Sequence, residues 1–312
     1  MSEVTKPAAL PFVFGIIYAA PKKGKTLNLL MSFPNSLVMA PVGATACAEY
    51  AGIKPETWDI KPDTRVTKII EVLNRASASG KFDAIIIDDF SLIADAELHH
   101  IQANPRNAGF KAFDVLNKIM YKLRDAARNA KCHVFLVMHE TPPREVTRDN
   151  RTVFIPGHPS ITGWKLPEKI PAMADFVVRM KHDPKAISRW PYVYQAAPTP
   201  DYITGSRLAM MPGMSPTNIR EVMLATGYEL PRPNGMEWMD DVAETVCQEL
   251  VKAEAQDKRA VKKWLSSDGS VLAEAHKDKD PRHVRWAISD GIDRAVLRRH
   301  ETNLLDDFFA NF

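Results

Sequence analysis

The chain has 312 residues, a formal net charge of +3, 45% hydrophobic residues and 25% charged residues. That balance supports one sizeable α/β domain with an appendage, or two modest domains, and excludes wholesale disorder. It also excludes nucleic-acid binding through a global basic field, so any such contact must come from a local patch.

The N-terminus, Met1-Ser2-Glu3-Val4-Thr5-Lys6, lacks the apolar core of a signal peptide, and no apolar run approaches bilayer length. Cys47, Cys132 and Cys247 are widely spaced and form no Cys-x-x-Cys pair, which fits a reducing compartment without disulfides or a zinc site. The expectation is a cytoplasmic protein with no membrane segment.

Phe12 to Thr26 reads as an apolar strand feeding a short loop that ends in Gly24-Lys25-Thr26, and Leu27 to Met31 continues with a helical bias. Strand, phosphate loop and helix in that order make a polyphosphate site: Ala20, Pro21, Lys22, Lys23, Gly24, Lys25, Thr26 and Leu27 supply it. Lys25 would reach the β/γ-phosphates and the Thr26 hydroxyl would ligate Mg²⁺. Ala19 stands where the full motif has its first glycine.

Ser36 to Ala40 reads as a second short strand, and Thr64 to Ser77 as a helix stopped by Gly80. Phe82 to Ser91 contains three isoleucines followed by Asp88 and Asp89, the pattern of a central parallel strand whose carboxyl end faces a ligand. Asp88 is the expected metal acid, and Asp89 is a candidate to orient the attacking water. Ser91 to Gly109, with His99 and His100, reads as a partly helical excursion or a mobile loop. Phe110 to Ala130 is an amphipathic helix with Phe113, Leu116, Ile119, Met120 and Leu123 inward.

Lys131 to Met138 is another buried strand, ending in His139-Glu140; in a P-loop ATPase a polar residue here senses the γ-phosphate, which makes His139 the candidate. Thr141 to Pro171 holds six prolines and cannot be one regular element. Arg144, Arg148, Arg151 and Lys165 alternate there with Phe154 and Trp164, as in a single-strand binding channel. The same stretch also reads as a β-hairpin about Asp149-Asn150 with a solvated face, and both readings stand at this point.

Asp175 to Met180, Tyr192 to Gln195 and Tyr202 to Thr204 read as strands without intervening helices, hence an antiparallel extension of the sheet. Arg207 follows them. Met210 to Pro216 marks a boundary, with Ser215-Pro216 opening a helix. Trp238 to Leu265 and Arg282 to His300 read as locally basic helices, and Leu304 to Phe312 forms an acidic, aromatic tail.

Gly24-Lys25-Thr26, Ile85-Ile86-Ile87-Asp88 and Val137-Met138-His139-Glu140, in that order, resemble the RecA-like ATPase core. Within it they resemble the phage-type nucleotide-binding proteins that include RecA-like single-strand annealing recombinases. The resemblance covers Pro11 to Met210. It implies an α/β fold with a mainly parallel sheet and an antiparallel extension over residues 1–212, and the helical pattern of the sequence beyond it makes 213–312 a helical region. It implies ATP and Mg²⁺ held by Lys25, Thr26 and Asp88, nucleotide sensing by His139, and single-stranded DNA on the Thr141 to Lys165 loop. In a homo-oligomer with ATP between subunits, Arg207 would act in trans, or it is an ordinary surface arginine; the tail, outside the resemblance, would dock on a single-strand DNA-binding or replication partner or pack its phenylalanines back onto the domain.

One departure matters: many RecA-like enzymes place a catalytic glutamate just after the second strand, where this chain has Ala40-Pro41-Val42-Gly43-Ala44. Either Glu49 or Asp89 must serve, or hydrolysis is slow. The rival readings are a helicase, loader or packaging motor, and a non-hydrolysing nucleotide-binding protein that acts through its tail.

Overall fold

Strands Phe14–Ala19, Ser36–Ala40 and Ala84–Ile87 are buried at every position, so neither face of the sheet is left to water there. In the computed structural model, β1 (Phe14–Ala19) leads through the loop into α1 (Lys25–Ser32), followed by β2 (Ser36–Ala40), β3 (Glu56–Asp59), α2 (Val66–Ser79), β4 (Ala84–Ile87), α3 (Phe90–Gln102), α4 (Phe110–Arg128) and β5 (His133–Thr141). Then come a hairpin of β6 (Arg144–Arg148) and β7 (Arg151–Ile155), β8 (His158–Pro159), α5 (Leu166–Met173), β9 (Phe176–His182), β10 (Tyr192–Gln195) and β11 (Gly205–Ser206). Helices α6 (Ile219–Ala225), α7 (Trp238–Lys252), α8 (Lys258–Ser266), α9 (Asp268–Ala275) and α10 (Pro281–Ala310) complete the chain.

The structure describes residues 12–310 except 108, 149–150, 164, 183–191, 208–217, 226–227, 229, 231–234 and 255–257, and it describes only the backbone of 50, 51, 148, 258 and 299–310. The Asp149-Asn150 turn, Trp164, the Met210 to Pro216 boundary, the Ser215-Pro216 helix start and the side chains of the acidic tail therefore lie outside the described residues.

The sheet runs β10-β9-β1-β5-β4-β2-β3. From β9 to β3 every neighbouring pair is parallel, and β10 and β11 pair antiparallel with β9. β9 itself thus belongs to the parallel sheet, one strand further than the expected antiparallel extension. Residues of Tyr202 to Thr204 make only isolated bridges at Tyr202, and the pairing strand is β11 just beyond them.

Alternate residues serve opposite layers. Phe14, Ile16, Tyr18, Ile85, Ile87, Val134, Leu136 and Met138 pack beneath residues of α2, α3, α4 and α5. Ile17, Ala19, Ala84, Ile86, Phe135 and Val137 share the other layer with residues of α1, α6, α7 and α10. The C-terminal helices therefore share a hydrophobic core with the sheet rather than forming an appendage with a core of its own.

A buried polar seam runs through that layer. Asn28 Oδ1 accepts from the Tyr194 hydroxyl (2.9 Å) and the Ile219 N–H (3.2 Å), and Ser32 Oγ donates to Asn218 Oδ1 (2.7 Å). Asn218 Nδ2 in turn donates to Asp290 on α10. Further along α10, a Cβ on Gly291 would lie 2.5 Å from both the Ala243 carbonyl oxygen and Val246 Cβ, so glycine is what lets α10 close on α7.

Three elements differ from the sequence expectation. The Ser91 to Gly109 stretch begins as a regular helix, α3: Asp89 caps it by accepting the Ser91 N–H, and Phe90, Ile93, Ala94, Glu97, Leu98 and Ile101 face inward. Glu97 tolerates burial because Arg65 pairs with it at 2.6 Å and the Val66 N–H, at the start of α2, donates to it. β3 is a polar edge strand with no apolar run to announce it. α5 carries Pro167 in its first turn, where no N–H is needed, and Pro171 inside it.

His133 opens β5 wholly within this core. Its Nδ1 accepts the Val13 N–H (3.1 Å), and the rings of Phe12, Phe33, Phe135 and Tyr228 surround it. Burial pushes the imidazole down to about 4 from its usual value. The unfolded chain takes up the proton first as pH falls, so this stabilisation is full above about 6.5, is lost progressively as pH falls through the folded value, and amounts to about 3 kcal/mol. Between pH 7 and pH 4, wild type is expected to lose about 3 kcal/mol more in guanidinium unfolding than His133→Asn, which keeps an acceptor for Val13; equal losses would contradict this assignment. Deleting residues 218–312 uncovers the shared core, so the remaining fragment is expected to elute as aggregate in gel filtration rather than as a monomer.

Candidate functional site

Adjacent parallel strands deliver their carboxyl ends to one edge of the sheet, and here β1, β5 and β4 lie side by side. The loop after β1 is set by backbone as much as by side chains. Lys22 has φ 60° and Gly24 φ 83°, and Gly24 is where the loop turns into α1. Lys25, the first residue of α1, folds back, and its Nζ donates to the carbonyls of Ala19 and Ala20 at 3.3 Å each. Ala20, Pro21, Lys22, Lys23, Thr26 and Leu27 flank it along the loop and first helical turn, all partly or fully exposed.

Lys25 is buried, and burial lowers its pKa while the charges of Asp88, Asp89 and Glu140 pull it back up. One ammonium thus faces three carboxylates drawn from two neighbouring strand ends. The Thr26 hydroxyl donates directly to Asp88 Oδ2. Burial raises the Asp88 pKa and the charge of Asp89 adds to it, opposed by the Thr26 hydrogen bond and by Lys25 and His139. Mg²⁺ takes hard oxygen ligands and fills much of its octahedral shell with water and phosphate, so a touching hydroxyl and carboxylate fit it.

The Asp88–Asp89 peptide is cis. Asp89 Oδ2 meets His139 Nε2, which joins the acid after β4 to the strand end of β5. His139 Nδ1 is buried without a partner among the described residues. The next residue, Glu140, pairs through both carboxylate oxygens with Arg179 of β9 (2.6 and 3.1 Å). The Arg179 guanidinium lies 3.5 Å from the centre of the Tyr202 ring and also donates to Gln195 (3.4 Å). The Glu140–Arg179 pair was not singled out from sequence; the adjacent His139-Glu140 at a strand end was its only trace.

Lys25, Thr26, Asp88, Asp89 and His139 thus converge. Glu49 does not join them: it lies in a 3-10 turn, Ala46–Ala51, its side chain is exposed, and its carbonyl accepts from Arg282 (2.7 Å). In the same turn, burial raises the Cys47 thiol pKa, and the charge of Asp88 adds to it. Arg207 lies at the other end of the sheet. Its N–H donates to the Asp175 carbonyl (2.9 Å) and its guanidinium to the Ala172 carbonyl, level with the start of β9.

Arg144 and Arg151 are exposed on the hairpin, and Arg148 pairs with Arg151 in its register. The register puts Arg144, Val146, Val153 and Ile155 on one face and Glu145, Thr147, Thr152 and Phe154 on the other. Val153 and Phe154 are among the exposed large hydrophobic residues. Lys165 stands apart from the hairpin as the exposed residue before α5, with φ 58°. Among the described residues, no helix is long and apolar enough to cross a membrane.

Residues 13–208 match a protein-family model described as an AAA domain, more than half of the chain and all of the sheet. No curated protein matches it. The match and the loop geometry agree on a nucleotide-binding P-loop ATPase core. Replacing the buried ammonium in Lys25→Ala removes charge-assisted contacts to phosphate. Affinity for a fluorescent ATP analogue with Mg²⁺ is expected to fall at least about tenfold, with the circular dichroism spectrum unchanged; undiminished affinity would place the nucleotide elsewhere.

Proposed function

The chain belongs to the AAA-domain family through residues 13–208, and on that premise we propose an ATP-dependent single-stranded DNA-binding protein of RecA-like recombination type, one that promotes annealing or pairing of strands. The observation that carries this reading is the path of β5. The strand runs from the middle of the sheet through His139 and Glu140 to Thr141, and the exposed basic hairpin begins at Arg144. A nucleotide sensor and a DNA-contacting element would thus lie on one continuous piece of backbone.

ATP would lie along the loop, with Lys25 on its β/γ-phosphates and the Ala20 to Leu27 N–H groups around them. Thr26 and Asp88 would hold Mg²⁺, which supplies neutralisation of the charge that builds on the phosphate oxygens. Asp89, oriented by His139, would accept a hydrogen bond from the attacking water and so take the place that a glutamate after β2 has in many RecA-like enzymes. Loss of the γ-phosphate would release His139 and allow the end of β5 to shift, altering how Arg144, Arg148 and Arg151 are presented to a phosphate backbone.

Arg207, far from the loop of its own chain, would act on a neighbouring subunit's phosphates in a homo-oligomer. The acidic, aromatic tail would bind a basic partner of the replication machinery.

Charge reversal in Arg144→Glu/Arg151→Glu is expected to weaken binding to labelled single-stranded DNA at least tenfold and to flatten the slope of log affinity against log salt by about 1.4. Single-stranded DNA is also expected to raise steady-state ATP turnover in wild type and not in Lys25→Ala. An unchanged salt slope together with DNA-independent turnover would sink this reading.

A further inference from the structure

Ser91 lies in the first turn of α3 and is 5% exposed. A serine at a helix start ordinarily spends its hydroxyl on its own helix. Here Asp89 already provides the cap, accepting the Ser91 N–H at 2.9 Å through Oδ1. The Ser91 hydroxyl is therefore available to leave the helix. It accepts the His139 main-chain N–H at 2.9 Å and donates to the Ser160 carbonyl at 2.6 Å. The Ser160 N–H donates back to the His139 carbonyl at 2.8 Å.

Two closed loops of hydrogen bonds result. In one, Asp89 binds the Ser91 main chain, the Ser91 hydroxyl binds the His139 main chain, and the His139 ring returns to Asp89. In the other, Ser91, His139 and Ser160 each bind the other two. His139 is on the strand that leaves for the hairpin, and Ser160 follows β8, on which the chain comes back from it. Both roots of the hairpin excursion are thus tied to the residue two places after the proposed catalytic acid.

We infer that Ser91 is a positioning residue that sets the Asp89–His139 pair for water activation and transmits the state of that pair to both roots of the basic hairpin. The transmission half rests on the reading of the hairpin as a DNA contact, and the positioning half on the reading of Asp89 as the acid that orients the attacking water. Hydrogen-bonded members of a part-buried ring move together, because moving one alone breaks its bonds to the others. A γ-phosphate that draws His139 or Asp89 therefore draws the two roots with it.

The test uses the full chain with Ser91→Ala, which removes the hydroxyl, and Ser91→Thr, which keeps it. Without DNA, Ser91→Ala is expected to lower kcat for ATP hydrolysis about tenfold while KM stays within about threefold, and Ser91→Thr to recover most of kcat. With labelled single-stranded DNA, the ratio of affinities in a slowly hydrolysed ATP analogue and in ADP is expected to collapse in Ser91→Ala and to return in Ser91→Thr. Wild-type kcat in Ser91→Ala would overturn the positioning role. Losses of kcat and KM alike in Ser91→Ala, with Ser91→Thr no better, would reduce Ser91 to a packing residue and overturn both halves. A wild-type chain that hydrolyses ATP but binds no DNA would remove the proposed function and the transmission half, while the kcat measurement still decides the positioning half.

Discussion

A single buried ammonium holds the functional end of this molecule together. Lys25 is buried, its Nζ reaches back to the carbonyls of Ala19 and Ala20, and the charges of Asp88, Asp89 and Glu140 oppose the lowering of its pKa by burial. Charges so placed must be matched or neutralised. Burial lowers the Lys25 pKa and raises that of Asp88, opposed at Lys25 by the neighbouring carboxylates and at Asp88 first by the Thr26 hydrogen bond and then by the Lys25 charge.

That cluster exists only because the strands are ordered as they are. β5 lies between β1 and β4, so the phosphate loop and Asp88 are separated by one strand, and that strand ends in His139-Glu140. His139 reaches toward β4 to meet Asp89, while Glu140 reaches across to Arg179 on β9. One strand end thereby spans the site from both sides and then leaves as the hairpin. The Tyr202 ring under Arg179 keeps the guanidinium in place without another anion.

The opposite layer carries a second constraint. α1 begins with Lys25, and its buried face holds Asn28 and Ser32, one turn apart. Both bond to the start of α6, and Asn218 passes the connection to Asp290 on α10. Arg282, at the other end of α10's described side chains, donates to the Glu49 carbonyl in the Ala46–Ala51 turn. The C-terminal helices are therefore packed and hydrogen-bonded to the helix that starts at the phosphate loop, and a shift of α1 must be accommodated there.

The sequence by itself determined what depends on neighbours along the chain. The Gly24-Lys25-Thr26 loop, the isoleucine run into Asp88, the inward face of α4 and the strand before His139 are local patterns, and each is where it was expected. The regularity of α3 was hidden because its cap, Asp89, was read as catalytic only. β3 and α5 were hidden because a polar edge strand and a proline-bearing helix lack the apolar period that marks an element. Only the tertiary structure brought Asp89 to His139 and left Glu49 exposed on a turn, since that depends on which strand end lies next to β5. It alone joined Glu140 to Arg179 and Ser91 to Ser160, pairs far apart in the chain. It also merged the helical region with the sheet's second layer. Apolar faces record that a residue is buried; which partner buries it is a matter of strand order and helix placement, and these appear only when the whole chain is folded.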